Sequence, residues 1–149
     1  MAADSITFID GGNMARSLIA GLIRRGVPAA HIHVAEPVAA LRQALAADFG
    51  VQVHDNAADA AAQGRTWLLA VKPQVLRDVC QSLQALAQAH RPLVVSIAAG
   101  ITSAQLERWL GGHLPVVRAM PNTPALLGAG VTGLCWPVPG ARCGSTAKR

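Results

Sequence analysis

Short apolar runs of four or five residues alternate along the chain with stretches whose apolar positions recur every three or four residues. The first pattern suits strands buried on both faces and the second amphipathic helices. Their alternation predicts βαβ units around a mainly parallel sheet. Ser5 to Ile9 reads as the first strand. From Asn13 to Arg25, the residues Met14, Leu18, Ile19, Leu22 and Ile23 fall on one helical face, and Gly26 suits the helix end. His31 to Ala35 reads as a second strand, Val38, Leu41 and Leu45 mark a helix, and Val51 to Val53 reads as a short third strand. Asp55-Asn56 opens a further helix in the N-cap role. Trp67 to Val71 is a continuous apolar run, followed at helical spacing by Val75, Leu76, Val79, Leu83 and Leu86. Leu93 to Ile97 is another buried strand, and Leu106, Trp109 and Leu110 mark a helix starting near Thr102 or Ser103. Pro115 to Ala119 and Val131 to Leu134 are the last candidate strands. The predicted class is α/β, a doubly wound, mainly parallel sheet with flanking helices.

After Cys135 both periods vanish, and two Pro and two Gly appear among the last residues. Residues 1–135 therefore read as one domain and 136–149 as an irregular Pro/Gly/Arg-rich tail. A chain of 149 residues, 52% hydrophobic and 14% charged, is long and apolar enough for one core, which excludes intrinsic disorder of its bulk. No apolar stretch reaches the roughly 18 residues a membrane span needs, and the N-terminus lacks the pattern of a secretory signal. Cys80, Cys135 and Cys143 are odd in number and unpaired in spacing, which argues against a disulfide scaffold or zinc site and for a reducing cytoplasm. The net charge of +5 belongs largely to the tail, since residues 1–135 hold 10 basic and 8 acidic side chains. With no Tyr and two Phe there is no aromatic platform for bases, so no nucleic-acid partner is expected, and no membrane.

Candidate chemistry gathers at strand ends. The first strand runs into Asp10-Gly11-Gly12-Asn13-Met14-Ala15 and then a helix. In the Rossmann fingerprint Gly-x-Gly-x-x-Gly/Ala, the turn and the helix N-terminus face a pyrophosphate. Gly12 and Ala15 fit its second and third places, and Asp10 departs from the first. A carboxylate about 5 Å from a phosphate, at an effective dielectric near 20, costs on the order of 3 kcal/mol. That is roughly a hundredfold in affinity. The plainer reading is a strand-to-helix turn. Glu36, 24 residues after Gly12, is placed either to accept from an adenosine ribose and repel a 2′-phosphate, or to be a solvated acid beside Pro37. Lys72 after the Trp67–Val71 strand offers a cation to phosphate or ribose, or is simply solvated. Ser96 to Gly100 leaves room for a flat ring or for tight helix packing, and Met120-Pro-Asn-Thr-Pro124 forms a rigid polar loop. The five histidines show no metal-ligand spacing, no nucleophilic triad can be assembled, and Cys80 sits on a core-facing helical position.

Together, Phe8-Ile9-x-Gly-Gly-Asn-Met-Ala15, Ala70-Val-Lys-Pro-Gln74, Val95-Ser-Ile-Ala-Ala-Gly-Ile101 and Val117-Arg-Ala-Met-Pro-Asn-Thr-Pro-Ala125 resemble the N-terminal domain of pyrroline-5-carboxylate reductase. Gly128 to Gly133 extends the resemblance, which covers about residues 5–135. It implies a Rossmann-like oxidoreductase that reduces the cyclic imine 1-pyrroline-5-carboxylate to L-proline with NADPH or NADH, in proline biosynthesis. It implies cofactor contacts at Ile9, Gly11, Gly12, Asn13, Met14, Glu36, Asn56, Ala70, Val71, Lys72, Pro73, Ile97, Ala98 and Ala99. Met120, Pro121, Asn122 and Thr123 would lie near the nicotinamide and substrate, and Glu36 leans the choice toward NADH. The family's C-terminal helical domain, which carries the dimer interface, the substrate-binding segment and the proton donor, has no counterpart in this sequence. The expectation is therefore no catalytic residue within the chain, no metal, and little turnover by the chain alone. The abrupt change at Trp136 reads as a truncated or frameshifted product. The alternative is a non-catalytic dinucleotide-binding module or an inactive remnant.

Overall fold

The computed structural model describes residues 5–98, 100–120, 132–136 and 144–148, with Met120, 132–136 and 144–148 described by backbone alone. Six strands run parallel: β1 (Ile6–Ile9), β2 (Ile32–Ala35), β3 (Gln52–His54), β4 (Thr66–Leu69), β5 (Leu93–Ser96) and β6 (Val116–Met120). Their spatial order is β3-β2-β1-β4-β5-β6, the doubly wound order in which succession across the sheet reverses between β1 and β4. Beyond β6 the sheet turns antiparallel through β7 (Thr132–Trp136) and β8 (Gly144–Lys148). The stretch after Cys135, expected to lack regular structure, thus contributes β8. Gly, Ser, Thr and Ala give no apolar period, and the pairing with β7 is a matter of backbone register from Thr132↔Lys148 to Trp136↔Gly144.

Period-two alternation divides the core between two faces. Phe8, Ile32 and Val34 pack against Ala15 and Ile19 of α1 (Asn13–Arg24) and Leu45 of α2 (Ala39–Phe49). Ile9, Trp67 and Leu69 point to the other face, with Ala60 and Ala61 of α3 (Ala57–Gln63), Leu76 and Cys80 of α4 (Pro73–Ser82), Ala87 of α5 (Gln84–His90) and Leu106 of α6 (Ser103–Trp109). Burying the Trp67 ring contributes about 2–3 kcal/mol, and its indole N–H donates to the carbonyls of Ala61 (2.9 Å) and Gly64 (3.2 Å), so no polar atom is stranded.

Local signals account for the helix ends. Asn56 caps α3 by accepting the Asp59 N–H at 2.8 Å, Thr102 and Gln105 form a capping box on α6, and Gly50 closes α2 at φ 70°. Two details differ from the sequence pattern. The single apolar period from Val75 to Leu86 is split at Leu83 into α4 and α5. In α2 only Leu45 is fully buried, while Val38 and Leu41 are 50% and 47% exposed.

Candidate functional site

The reversal of strand order opens a crevice at the carboxyl ends of β1 and β4, where ligands of open α/β sheets collect. Asp10, just beyond β1, has φ 86°, a conformation that favours glycine and that Asp tolerates better than most residues. Its N–H donates to the Ala35 carbonyl at 2.9 Å, tying the turn to the end of β2. The next amide, Gly11 N–H, is shared by two carboxylates: Asp10 Oδ1 at 2.8 Å and Glu36 Oε2 at 3.1 Å. The second Glu36 oxygen accepts the Val38 N–H at 3.1 Å. Gly11 is confined, because a Cβ there would press on Leu45 Cδ1 at 2.6 Å and Glu36 Oε2 at 3.1 Å. Gly12 is open, with only Asp10 Oδ2 as near as 4.0 Å. It precedes α1, whose N-terminus carries neither a side-chain cap nor an acidic residue in its first turn.

Burial pushes the Asp10 carboxyl above the usual carboxylate range, and the hydrogen bond and negative charge of Glu36 push the same way. The Gly11 amide and the Lys72 ammonium pull against them. The departure from the glycine pattern is therefore a carboxyl with a raised proton affinity, partnered by Glu36.

Beside this turn lies a cleft of about 310 Å³, lined mainly by apolar groups of Ile9, Ala35, Pro37, Val71, Val75 and Val79, with Asp10, Asp55 and Asn56 at its polar edge and Ala57 beside them. Such a mostly apolar slot with a few polar groups suits a flat heterocycle carrying polar substituents.

Of the residues expected from the sequence, Ile9, Asn56 and Val71 line the cleft, and Gly11, Gly12, Asn13 and Met14 form the turn and the first residues of α1. Asn56 also works as a cap, with its amide N–H groups on Asp55 and Asp59. Ala70 donates its N–H to Ile9 and so locks the end of β4 to β1, while Lys72 and Pro73 begin α4. Ile97 and Ala98 follow β5, held by bonds from Ile97 N–H to Leu69 O and from Ala98 N–H to Ser96 Oγ. Met120 ends β6, and Ala99, Pro121, Asn122 and Thr123 lie outside the described residues. Glu36 is not the solvated acid of the plainer expectation: it is 3% exposed and held beneath the turn by two amides.

Val75 and Val79 also line the cleft, although in the sequence their spacing matches the core stripe of α4. The signal that separates them is angular: they lie one position off the buried pair Leu76 and Cys80. Pro37, Asp55 and Ala35 announce themselves only as positions that follow or end strands. Among the described residues, no group of three or more His, Cys, Asp and Glu is placed to hold a metal ion, and no helix is long and apolar enough to cross a membrane.

A family model described as "NADP oxidoreductase coenzyme F420-dependent" matches residues 5–100. The pyrroline-5-carboxylate reductase of Pseudomonas aeruginosa is 52% identical over 136 residues, which cover 90% of this chain and 49% of the relative. The chain thus spans about half the length of the curated relatives it matches. Among solved structures, a pyrroline-5-carboxylate reductase from Coxiella burnetii superposes with a TM-score of 0.87 at 35% identity, covering 95% of this chain and 52% of that one. The Plasmodium falciparum pyrroline carboxylate reductase, solved with NADP bound, superposes with a TM-score of 0.79 at 21% identity, over 95% of this chain and 51% of that one; it bears on the fold alone.

Proposed function

The chain belongs to the family described as NADP oxidoreductase, coenzyme F420-dependent, and on that premise we propose that residues 1–135 are the dinucleotide-binding domain of a pyrroline-5-carboxylate reductase. The observation that carries this reading is the apolar cleft at the ends of β1, β2 and β4, next to an uncapped α1 N-terminus. In it the slot between Ile9, Pro37, Val71 and Val75 takes the adenine, Asn56 stands at the adenosine edge, and Gly12, Asn13 and Met14 lead the diphosphate onto α1. Lys72, whose charge acts on Asp10, precedes Pro73 at the start of α4, and Ala70 N–H ties the end of β4 to Ile9. Ile97 and Ala98, which follow β5, serve the nicotinamide end in this reading, and the sequence resemblance assigns Ala99 and Met120 to Thr123 the same role.

Bound nicotinamide dinucleotide supplies a hydride, and the acceptor is the imine carbon of 1-pyrroline-5-carboxylate, giving L-proline. This chain's part is to bind and orient the donor; holding the acceptor and protonating its nitrogen fall to groups outside it. Bringing donor and acceptor together is worth roughly 7–11 kcal/mol. The chain by itself therefore turns over imine and NADH with no measurable proline, and a rate near that of a two-domain relative would defeat this division of labour. The odd number of cysteines, with none in CxxC spacing, favours a cytoplasmic setting in this reading.

NADH is the preferred cofactor in this reading, because Glu36 at the end of β2 adds negative potential where a 2′-phosphate would lie. A second reading, NADPH, has one observation in its favour: Arg42 Nη1 is anchored on the Glu36 and Pro37 carbonyls at 2.9 and 3.0 Å, beside the same ribose end. The deciding experiment is a calorimetric titration with NADH and NADPH, alongside Asp10→Gly. Tighter NADH supports the first reading and tighter NADPH the second. Binding by neither, even after Asp10→Gly, leaves an inactive remnant of the fold.

A further inference from the structure

His33 of β2 and His54 of β3 stand on one face of the sheet. The register pairs His33 with Gln52 and Ala35 with His54, so the two imidazoles are diagonal neighbours. Ile32 and Val34, on either side of His33, point into the core beneath α1 and α2, which sends both rings to the α3 face. There His33 Nδ1 and His54 Nε2 meet at 3.2 Å, with ring centroids 5.4 Å apart and planes 33° off parallel. Both rings are half-buried and rise from hydrogen-bonded strands, so little side-chain freedom remains to be lost.

The separation has a chemical meaning. Two nitrogens each about 2.0–2.1 Å from one metal stand about 2.9 Å apart at a right angle and about 3.4 Å apart at the tetrahedral angle. The observed 3.2 Å falls between these limits. We propose that His33 and His54 form a two-imidazole site for a divalent transition metal of the zinc, nickel and copper group, with water in the remaining positions. Imidazole selects these ions over magnesium and calcium, which demand oxygen donors. Binding requires the ring that holds the shared proton to carry it on its other nitrogen instead, so that both facing nitrogens present lone pairs to the metal. It also places the ion one residue from Asp55, which borders the cleft.

The test uses the full chain and no dinucleotide, so its outcome is independent of the cofactor reading. Zinc chloride titrated calorimetrically gives a binding event that magnesium chloride does not. His33→Gln and His54→Gln each weaken it at least tenfold, while His90→Gln, at the end of α5, leaves it unchanged. Because those variants also remove the nitrogen–nitrogen hydrogen bond, the unaltered chain provides a second reading. With one equivalent of Cu²⁺, its electron paramagnetic resonance spectrum shows splitting from two imidazole nitrogens. Zinc affinity unchanged in either variant, an equal response to magnesium, or a copper spectrum with fewer than two nitrogens would each overturn the site.

Discussion

Asp10 and Glu36 compete for one donor: the Gly11 N–H lies 2.8 Å from a carboxylate oxygen of the first and 3.1 Å from one of the second. Two acids that share an amide beneath a turn are held closer than their charges favour. Asp10 is also held at φ 86°, so the position is strained both electrically and conformationally.

Asp10→Gly relieves both strains. A non-glycine residue in the left-handed region costs roughly 1–2 kcal/mol, with Asp at the low end. The extra backbone entropy of glycine takes back part of that gain. Glu36 remains to accept the Gly11 amide, so no donor is orphaned. The variant is expected to be more stable by about 0.5–1 kcal/mol and to bind NADH about tenfold to a hundredfold more tightly. Chemical denaturation and calorimetry measure the two effects separately, and weaker binding by the variant would refute the account of the turn.

The pair also sets a pH dependence. Asp10 has its carboxyl raised above 3.8 in the folded chain, by burial first and by Glu36 next. Between that value and its folded one, the native state holds a proton that the unfolded state has released. Stability contributed by the group is therefore present at low pH and lost as pH rises through this window. Asp10→Asn keeps the shape and cannot release the proton. Its stability relative to the unaltered chain should grow as pH rises above 3.8 and then level off, as urea midpoints measured against pH would reveal; a constant difference would mean that the fold leaves Asp10 unshifted.

Much of this architecture is legible in the sequence, and the limits have physical causes. Trp67 to Val71 declares a buried strand because a run without polar residues has no solvent face to offer, and Trp67 and Leu69 are indeed fully buried. Gly12 and Ala15 mark the turn into α1, Gly12 as its extended N-cap and Ala15 as a small residue buried in the first turn. The burial of Glu36 is not legible, because an acid beside Pro37 reads as surface until the Gly11 and Val38 amides are brought over it. The contact of His33 with His54 depends on a register between strands that no local spacing encodes.

Cys80 gives a prediction in the alkaline range. It is a fully buried free thiol on α4, and burial pushes it up to about 12 from 9.0. A raised thiol keeps its proton in the fold after the unfolded chain has lost it. Its contribution to stability is thus intact below pH 9.0 and declines as pH climbs toward about 12. At neutral pH the thiolate is scarce as well as inaccessible, so alkylating reagents should modify Cys80 only after denaturation. Peptide mapping after a short iodoacetamide pulse checks this, and rapid native labelling of Cys80 would contradict it.

Gly64, between α3 and β4, faces Thr7 in the centre of the sheet. Its φ is −111°, so any residue could adopt the backbone, and the constraint is space alone. A Cβ there would overlap the Thr7 hydroxyl and come within 2.9 Å of Thr7 Cβ and 3.0 Å of Thr7 N. The hydroxyl cannot swing away at no cost, because it donates to the Ala60 carbonyl at 2.9 Å in a fully buried position. Nor can the strand recede, since β1 is paired on both sides. Gly64→Ala should therefore destabilise the fold by about 2–3 kcal/mol, the range of overpacked cores. Thr7→Ala removes the hydroxyl contact, together with the γ-methyl and the bond to Ala60, and keeps Cβ and N, so adding it to Gly64→Ala should recover only part of the loss. Denaturation midpoints of the two single variants and the double variant test this. A Gly64→Ala chain as stable as the original would show that α3 can slide outward, and that the sheet centre is less rigid than its pairing implies.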